Sequence, residues 1–509
     1  MEKENIMDKV CKICFTSDTH GYFSPVNYAT GKQEATGLAN CMNCFTHDGN
    51  TLIIDGGDSI QGSPLTYYLY TLGMQEHSFP AKLMNLGGYS FVTLGNHDFN
   101  YGRAVLEQYL DELDAVCLCA NVSGLPQVRK TAVVTLENGL RVGLTGITTQ
   151  FINIWEKPEN LRGITISEPL PAAAEALREL KAQQVDLTVC IYHGGYENDL
   201  HSGVRLSATG ENQGCRLCRE LDFDILLTGH QHMAVDGLWL HGTYTCQTPD
   251  KARSFIRMDI TAGEVGVRVS SSLVPAGDET LPAAAELLAT IESATAEWLD
   301  HPLGHLDMPL LPDTPIRMAS EGSLIANFFN QVQLEASGAD ISCTSLGNEV
   351  RGFDRNVTVR DVVATYIYPN TLMTLEVDRT ALKTAMERCA AYFTVENGEL
   401  RVSDSFLKPK VEHYNYDFFS GIEAVYDLRR AVGERVVSIR YRGRELDEET
   451  KLSLCMNNYR ATGTGGYEVY TGCRVLRDQP TEIVEMIVAY IDCHRNIAVD
   501  QSRYLTLLY

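Results

Sequence analysis

The chain has 509 residues, which is too long for one ordinary domain and predicts two or three. With 44% hydrophobic and 21% charged residues, it has the composition of a globular protein. Its formal net charge of −24 excludes polymeric nucleic acid and anionic membranes as favoured partners, and it leaves a small phosphorylated ligand held by local cations or metal ions.

The N-terminal stretch MEKENIMDKVCKICFTSD mixes charges with a short strand-like run and lacks the apolar core and cleavage site of a signal peptide. No stretch approaches the roughly 20 apolar residues of a membrane span. The chain as printed is therefore expected in the cytoplasm, away from membranes, unless an export signal has been removed from it.

The fifteen cysteines include three pairs with CxxC spacing, namely Cys11/Cys14, Cys41/Cys44 and Cys215/Cys218. A zinc ribbon built from the first two pairs is one reading of this spacing. Other cysteines, such as Cys190 and Cys455, lie inside apolar runs, and the total is odd. Buried, reduced thiols are the favoured interpretation.

Three segments follow from the pattern of apolar residues. Residues 1–275 repeat short apolar runs that end in polar residues, with helix-like stretches such as PAAAEALRELKAQQ between some of them, and this predicts a β-rich α/β domain. Residues 276–305 show helical spacing and predict a connecting helix. Residues 306–509 return to strands and helices and predict a second, α+β domain.

Five apolar runs of the first segment end in polar side chains that suit metal binding. In chain order, KICFTS precedes Asp18 and His20, TLIIDGG precedes Asp58, SFVTLG precedes Asn96 and His97, LTVCIY precedes His193, and DILLTG precedes His230 and His232. Taken singly, each is more often an ordinary loop residue. Because α/β sheets place ligands outside the carboxyl ends of their strands, five such motifs together predict one shared site.

The residue types predict a pair of metal ions. The pairs Asp18/His20 and His230/His232 have i, i+2 spacing, so in an extended chain both members point the same way and reach a shared centre. Seven nitrogen and oxygen ligands are too many for one four-coordinate ion. Two divalent ions about 3.5–4 Å apart, with a carboxylate between them, are expected, and Mn, Zn, Fe or Co all suit these ligands.

The motif order DxH…GD…GNHD…HxG…GHxH resembles the calcineurin-like metallophosphoesterases. The segments FTSDTHGYF, GGDSIQGSPL and LGNHDFNYG resemble the bacterial 5′-nucleotidase family more narrowly. The resemblance covers essentially the whole chain. It implies an α/β/β/α sandwich that carries the metals, followed by a nucleotide-binding domain.

The second half of the chain is similar to one branch of that family. IYPNTL, EHYNYDFFSG and MNNYRATGTGGY resemble the 2′,3′-cyclic-nucleotide 2′-phosphodiesterase/3′-nucleotidase branch. This implies that Tyr368 and Tyr459 sandwich the nucleobase. Asn370 and Asn458 would bind the base edge or act as turn residues, while Arg351 would meet phosphate or ribose unless it is simply exposed. Arg460 carries the same two readings.

The resemblance also implies a role for each residue of the metal site. One ion would bind Asp18, His20, Asp58 and His232. The other would bind Asp58, Asn96, His193 and His230. His97 would be the catalytic histidine, oriented by Asn100, where many 5′-nucleotidases have Asp, or by Asp98.

The predicted function is hydrolysis of nucleotide phosphate esters by attack of a metal-bound hydroxide on phosphorus, most specifically as a 2′,3′-cyclic-nucleotide 2′-phosphodiesterase with 3′-nucleotidase activity. A 5′-nucleotidase or UDP-sugar hydrolase is the alternative. A nucleotide-binding protein with a decayed site and a nuclease acting on DNA are less favoured, the latter because of the acidic surface. A small nucleotide is the only partner implied, and no protein partner is.

Overall fold

The computed structural model describes residues 8–72, 76–205, 210–263, 266–368, 370–408 and 410–509. The chain divides into two compact units, Met1–Ala296 and Glu297–Tyr509. The division falls near the end of a long helix, Pro282–Leu299.

The first unit is rich in strands. Its described strands are β1 Lys9–Thr16, β2 Val26–Asn27, β3 Lys32–Gln33, β4 Thr51–Asp55, β5 Phe91–Val92, β6 Val116–Cys117, β7 Val122–Ser123, β8 Thr131–Thr135, β9 Arg141–Thr148, β10 Thr165–Ile166, β11 Leu187–His193, β12 Ile225–Thr228, β13 Val235–Leu240, β14 Thr243–Gln247, β15 Ser254–Gly263 and β16 Gly266–Pro275. Its helices are α1 Leu38–Met42, α2 Pro64–Tyr67, α3 Phe79–Leu86, α4 Arg103–Glu112, α5 Ile152–Trp155, α6 Pro169–Ala182, α7 Gly214–Glu220 and α8 Pro282–Leu299, which crosses into the second unit.

Two six-stranded mixed sheets form the body of this unit, with orders β16-β15-β1-β4-β5-β6 and β13-β14-β12-β11-β9-β8. The strands that precede the polar motifs are parallel to their neighbours within each sheet: β1 with β4 and β4 with β5 in the first, and β11 with β12 in the second. Parallel strands end at the same edge, so the motifs that follow them are brought together.

The sheets pack face to face around one apolar core. That core takes Ile13, Phe15 and Ile54 from the first sheet, together with Val189 and Leu227 from the second. On the other face of the second sheet, α6 and α7 bury Leu177 and Leu217. A strand such as β11, LTVCIYH, is buried along its whole length, as expected for a parallel strand covered on both faces. This is the sandwich predicted for the first domain.

The second unit combines four described sheets with helices, as predicted for an α+β domain. Its described strands are β17 Pro302–Leu306, β18 Ile341–Ser345, β19 Asn356–Thr358, β20 Thr371–Val377, β21 Phe393–Glu396, β22 Glu399–Val402, β23 Asp417–Ser420, β24 Glu423–Asp427, β25 Val436–Tyr441, β26 Arg444–Glu445, β27 Leu452–Asn457, β28 Arg474–Glu482, β29 Asn496–Ile497 and β30 Leu505–Leu508. Its own helices are α9 Pro315–Glu321, α10 Leu324–Ser337, α11 Val359–Thr365, α12 Arg379–Ala390, α13 Asn458–Ala461 and α14 Ile483–His494.

Helix α12 lies at the centre of the second unit's core. The main sheets have orders β23-β18-β27-β20-β28 and β26-β25-β24-β30. Leu382 and Met386 of α12 pack in one cluster with Leu454 of the first sheet and Ile439 of the second. Asp378 caps the helix by accepting a hydrogen bond from a backbone N–H of the first turn, which satisfies a donor that the helix leaves unpaired.

The cysteines are free thiols, and most of them are buried. Two groups of potential metal ligands occur in the described part of the chain, and neither contains a cysteine, so the zinc-ribbon reading gains no support. Among the helices that the structure describes, none is both long enough and apolar enough to cross a membrane.

Candidate active site

Seven predicted ligands lie where five strands of the first unit end. Three of these strands, β1, β4 and β5, belong to one sheet, and β11 and β12 belong to the other. His193 is the last residue of β11, and the remaining ligands lie in the loops that follow the other four strands. The site is therefore built from both sheets at one edge of the sandwich.

The backbone at the ligands is left-handed. Positive φ angles of 49° to 73° occur at Asp18, His20, Asp58, His230 and His232. Residues other than glycine rarely adopt this conformation, which costs on the order of 1–3 kcal/mol each and persists where the surroundings enforce it. The extended chain assumed for the i, i+2 pairs is wrong: Asp18 and His20 reach the same group of ligands, whereas His230 and His232 reach different ones.

The side chains form two groups whose donor atoms lie within 4.8 Å of one another, namely Asp18, His20 and His232, and Asp58, His193 and His230. Within the first group, the Nε2 atoms of His20 and His232 are 3.1 Å apart. Within the second, His193 Nε2 is 3.2 Å from Asp58 Oδ2. Ligands bound at 2.0–2.2 Å to one ion are themselves about 3–3.5 Å apart, so each group fits one ion.

Asp58 and Asn96 complete the arrangement. Asn96 Oδ1 lies 3.2 Å from His193 Nε2 and 2.9 Å from His230 Nδ1, which places it in the second group. Asp58 Oδ2 lies 4.0 Å from Nε2 of His20 in the first group, as well as close to His193. Its carboxylate thus lies between the two groups, where a bridging ligand would be needed.

Backbone carbonyls fix which histidine nitrogens face the cluster. His20 Nδ1 lies 3.0 Å from the carbonyl oxygen of Gln61, and His193 Nδ1 lies 2.7 Å from that of Gly56. Since a carbonyl only accepts, each Nδ1 must donate, and a neutral ring then turns the Nε2 lone pair towards the other ligands. Nε2 of His193 and the carboxylate oxygens of Asp58, which face one another, are atoms of the kind that bind a cation.

The carboxylates and histidines of the cluster shift one another's pKa values. Burial by itself lowers the pKa of His193, but the carboxylates of Asp58 and Asp18 outweigh burial and raise this pKa to about 10. Burial raises the pKa of Asp58, and the neighbouring His193 reverses this and holds the pKa well below its usual range. The pKa of His20 falls to about 4, chiefly through burial. Metal binding requires ionised carboxylates, together with histidine rings that are neutral or that can release a proton when the ion binds.

His97 contacts both the cluster and a polar network behind it. Its backbone N–H donates to Asp58 Oδ1 at 2.6 Å, and its ring lies 5.2 Å from that of His20. Its Nδ1 lies 2.8 Å from Asn100 Oδ1. Of the two partners considered for His97, the structure places Asn100 beside the ring.

Asp98 has a different position from the one expected of a catalytic partner. Its buried carboxylate accepts hydrogen bonds from the backbone N–H groups of Asp58, Ser59, Ile60 and Gly95. Burial and the nearby Asp58 carboxylate raise its pKa. Asp98 therefore joins the Asp58 loop to the loop after β5, and the assignment of Asp98 as an orienting partner of His97 is corrected to this structural one.

Three residues at the site carry no sequence motif. Glu156 accepts a hydrogen bond from Asn100 Nδ2 at 2.6 Å. Glu211 Oε1 lies 2.9 Å from His230 Nε2. Trp155 stacks on the His230 ring, with 5.6 Å between the ring centres and 18° between the ring planes. They come from segments between the strands, where neither periodicity nor spacing marks them.

In the second unit, three tyrosines lie near one another. Tyr368 precedes β20, Tyr459 lies in α13, and both are half-buried. The Tyr368 and Tyr414 rings are 6.3 Å apart at 65°, and Tyr414 also interacts electrostatically with Tyr459. Burial raises the pKa of Tyr368 to about 12. Tyr414 is a third aromatic candidate that the motif EHYNYDFFSG contains.

The two predicted asparagines hold the segments that carry these tyrosines. Asn458 Oδ1 accepts a hydrogen bond from the backbone N–H of Thr371 at 3.1 Å, which joins β20 to α13. The backbone carbonyl of Asn370 accepts a hydrogen bond from the Ile483 N–H at 2.8 Å, which anchors the loop of Asn370 to the start of α14. Both residues thus have structural contacts, which are compatible with either of their predicted readings.

The two arginines occupy different environments. Arg351 is exposed, and its Nη2 lies 3.4 Å from Asp361. Arg460 is only 1% exposed. Its guanidinium forms an ion pair with Asp417 at 2.8 Å and donates to the backbone carbonyls of Thr464 and Tyr414. Arg460 therefore belongs to the interior, and its reading as a substrate ligand is wrong.

We expect Arg460→Met to lower the free energy of unfolding of the second unit by about 3–5 kcal/mol, because it leaves the Asp417 carboxylate buried without its counter-charge. Calorimetric thermal unfolding measures this loss. Arg429→Met is the matched control: Arg429 also pairs with an aspartate, Asp427, but is 66% exposed, so its loss is expected to be within about 1 kcal/mol. Equal effects of the two substitutions would contradict the role of burial.

Comparisons with known proteins agree with this architecture. Residues 11–234 match the calcineurin-like phosphoesterase family, and residues 302–472 match the 5′-nucleotidase C-terminal domain. A candidate 5′-nucleotidase from Staphylococcus aureus, solved in complex with alpha-ketoglutarate, is 31% identical over 98% of this chain and 100% of its own, with a TM-score of 0.89.

Two curated relatives are more distant. The chain is 23% identical to the 2′,3′-cyclic-nucleotide 2′-phosphodiesterase/3′-nucleotidase of Haemophilus influenzae, over 89% of this chain and 80% of the relative. It is 22% identical to the trifunctional nucleotide phosphoesterase protein YfkN of Bacillus subtilis, over 94% of this chain. It spans only 37% of the length of that relative.

The two matched regions account for most of both units, and the similarity to the Staphylococcus aureus structure runs through nearly all of the chain. The relatives are phosphoesterases and nucleotidases, and the ligand groups lie in the region that matches the phosphoesterase family. The chain therefore belongs to the 5′-nucleotidase family of metallophosphoesterases and is a hydrolase of phosphoric esters.

Proposed function

We propose that this protein hydrolyses nucleotide phosphate esters with two divalent metal ions, and that its preferred reaction is that of a 2′,3′-cyclic-nucleotide 2′-phosphodiesterase with 3′-nucleotidase activity. The observation that carries the proposal is the pair of ligand groups with Asp58 between them and His97 beside them. Within the proposal, the domains keep the limits 1–275 for metal binding, 276–305 for the connection and 306–509 for the substrate.

The seven ligands are assigned to two ions. Asp18, His20 and His232 hold one, and Asn96, His193 and His230 hold the other, with Asp58 shared. When bound, two such ions neutralise phosphoryl oxygens and lower the pKa of water, which is the chemistry that phosphate ester hydrolysis needs at neutral pH. Mn, Zn, Fe and Co all suit this set of nitrogen and oxygen ligands.

His97 acts on the reacting phosphate ester without binding metal. Its Nδ1 is engaged by Asn100, which leaves Nε2 to stabilise the transition state and to supply a proton to the departing ribose oxygen. A 2′,3′-cyclic phosphate opens to a 3′-nucleotide in this way. The same groups then release the 3′-phosphate in a second reaction.

Base recognition is assigned to the second unit. Tyr368 and Tyr459 provide flat aromatic faces, and stacking on such faces contributes about 1–3 kcal/mol per base whatever the base is. Asn370 and Asn458 are assigned to the base edge and Arg351 to phosphate or ribose. We therefore expect broad tolerance of adenine, guanine, cytosine and uracil, with a small nucleotide as the partner of this protein.

A panel of 2′,3′-cyclic, 3′- and 5′-nucleotides incubated with Mn²⁺ tests the proposal through release of phosphate and nucleoside. Turnover of the cyclic and 3′-nucleotides supports the preferred reaction. Turnover restricted to 5′-nucleotides or UDP-sugars supports the alternative, which the 5′-nucleotidase relatives favour. Metal binding with no hydrolysis of any member would contradict an enzymatic function.

We expect Tyr459→Ala to raise KM for cyclic nucleotides about 5- to 100-fold, because stacking contributes about 1–3 kcal/mol. A small alkyl phosphodiester has no base to stack, so its hydrolysis should be little changed. Tyr441→Ala removes another partly exposed tyrosine of the second unit and is the matched control. Equal losses on the nucleotide and the alkyl ester would refute stacking by Tyr459.

A further inference from the structure

The carboxylate of Glu156 lies directly behind the side chain that contacts His97. Glu156 is 9% exposed, and both of its oxygens accept hydrogen bonds. Oε2 accepts from Asn100 Nδ2 at 2.6 Å. Oε1 accepts from the backbone N–H of Lys157 at 2.7 Å and from Asn160 Nδ2 at 2.8 Å.

This contact determines the orientation of the Asn100 amide. An asparagine side chain can turn over with almost no change of shape, so its orientation depends on its partners. A carboxylate only accepts, and it therefore holds the NH₂ group of Asn100 towards Glu156. The amide oxygen of Asn100 must then face His97, whose Nδ1 lies 2.8 Å away. Asn160 Nδ2 also donates to the backbone carbonyl of Asn100 at 3.1 Å, which steadies the same loop.

We propose that Glu156 is a positioning residue that holds the Asn100 amide with its oxygen, and not its NH₂ group, facing Nδ1 of His97. The amide oxygen accepts a hydrogen bond from Nδ1–H, and Nε2 is then the ring atom left to carry the proton that the departing oxygen takes. The inference rests on the proposed function, because it concerns the histidine assigned to the reaction there.

Glu156→Gln should reverse this orientation. Glutamine has one oxygen, which is required where the Lys157 N–H and the Asn160 amide donate. Its NH₂ group then meets the NH₂ group of Asn100, and two donors cannot bond to each other. Asn100 turns over and presents its NH₂ group to His97 Nδ1, which must then accept that hydrogen bond with its lone pair. A ring without an acceptor at Nδ1 is a much weaker proton donor at Nε2, so kcat is expected to fall about 10²-fold or more while KM stays nearly unchanged.

A second substitution should restore an acceptor facing Nδ1 of His97. In Asn100→Asp/Glu156→Gln, the carboxylate at position 100 accepts from the glutamine NH₂ group at position 156 on one side and from His97 Nδ1 on the other. The negative charge has moved from position 156 to position 100, and a proton is still required on Nδ1. The double variant should therefore recover kcat to within about tenfold of the unsubstituted enzyme, although each residue of the pair has been changed.

The experiment measures kcat, KM and metal content for the single and double variants on 2′,3′-cyclic nucleotides. Glu159→Gln is the matched control, because Glu159 is exposed in the same segment and the charge change is the same. Rescue by the double variant, with unchanged metal content, supports the proposal. A Glu156→Gln enzyme as active as the Glu159→Gln control would overturn it, and so would a double variant no better than Glu156→Gln.

A readout independent of turnover separates this inference from the proposed function. Nitrogen NMR shifts of ¹⁵N-histidine-labelled, Zn²⁺-loaded protein distinguish a protonated from an unprotonated Nδ1, and His97→Asn identifies the signals of His97. We expect Nδ1 to be protonated in the unsubstituted and double-variant proteins and unprotonated in Glu156→Gln. A protonated Nδ1 in Glu156→Gln would overturn the inference even in an active enzyme. Absence of hydrolysis in the unsubstituted protein would reject the proposed function and leave this NMR test intact.

Discussion

Asp58→Asn is expected to abolish turnover and to lower metal occupancy at both sites. Asp58 is the carboxylate that lies between the two groups of ligands, within 3.2 Å of His193 and 4.0 Å of His20. An asparagine offers one neutral oxygen in place of two that share a negative charge. It can therefore neither bridge two cations nor balance their charge.

Elemental analysis of the purified variant and metal titration of the metal-free protein measure this loss. Asp278→Asn is the control, since Asp278 is an exposed aspartate of the same unit and should keep full occupancy and rate. If Asp58→Asn retained two metal ions per chain and a near-normal rate, the bridging assignment would be wrong.

His97→Asn is expected to lower kcat by about 10²–10⁴-fold and to leave the metal stoichiometry unchanged. His97 contacts Asp58 through its backbone N–H, and its ring nitrogen Nδ1 is engaged by Asn100. In the proposed function, the ring acts on the substrate and is not needed to hold an ion.

Kinetics and metal content of His97→Asn should be measured together with those of His77→Asn. His77 is an exposed histidine of the same unit that pairs with Glu112, so its loss should change neither quantity. Loss of a metal ion from His97→Asn would make His97 a ligand, and the catalytic role assigned to it would have to be abandoned.

The sequence predicted the position of the site because its residues follow buried strands. Apolar runs ending in polar residues mark the carboxyl ends of β1, β4, β5, β11 and β12, and the sandwich brings these ends to one edge. The fold class followed from the same runs and from the family resemblance. The direction of individual side chains did not, since Asp18 and His232 have left-handed backbone that the i, i+2 spacing does not reveal.

The hydrogen-bond partners of the site residues could not be predicted from the sequence either. Asn100 and Asp98 are both close to His97 along the chain, and only the folded loop shows that Asn100 contacts the ring while Asp98 binds backbone N–H groups. Glu156 reaches Asn100 from 56 residues further along the chain. Such a contact leaves no periodicity or spacing that a single sequence could show.

The division of each ligand group between the two sheets has a mechanical consequence. In the first group, His20 follows β1 of one sheet and His232 follows β12 of the other, and the two residues are 212 positions apart in the chain. An ion held there would act as a reversible cross-link over a very long loop, comparable to a disulfide that joins distant segments. The two sheets could then separate at this edge only if the ions were released. Bound ions would therefore slow the separation of the sheets, and the packing of the sheets would slow the loss of the ions.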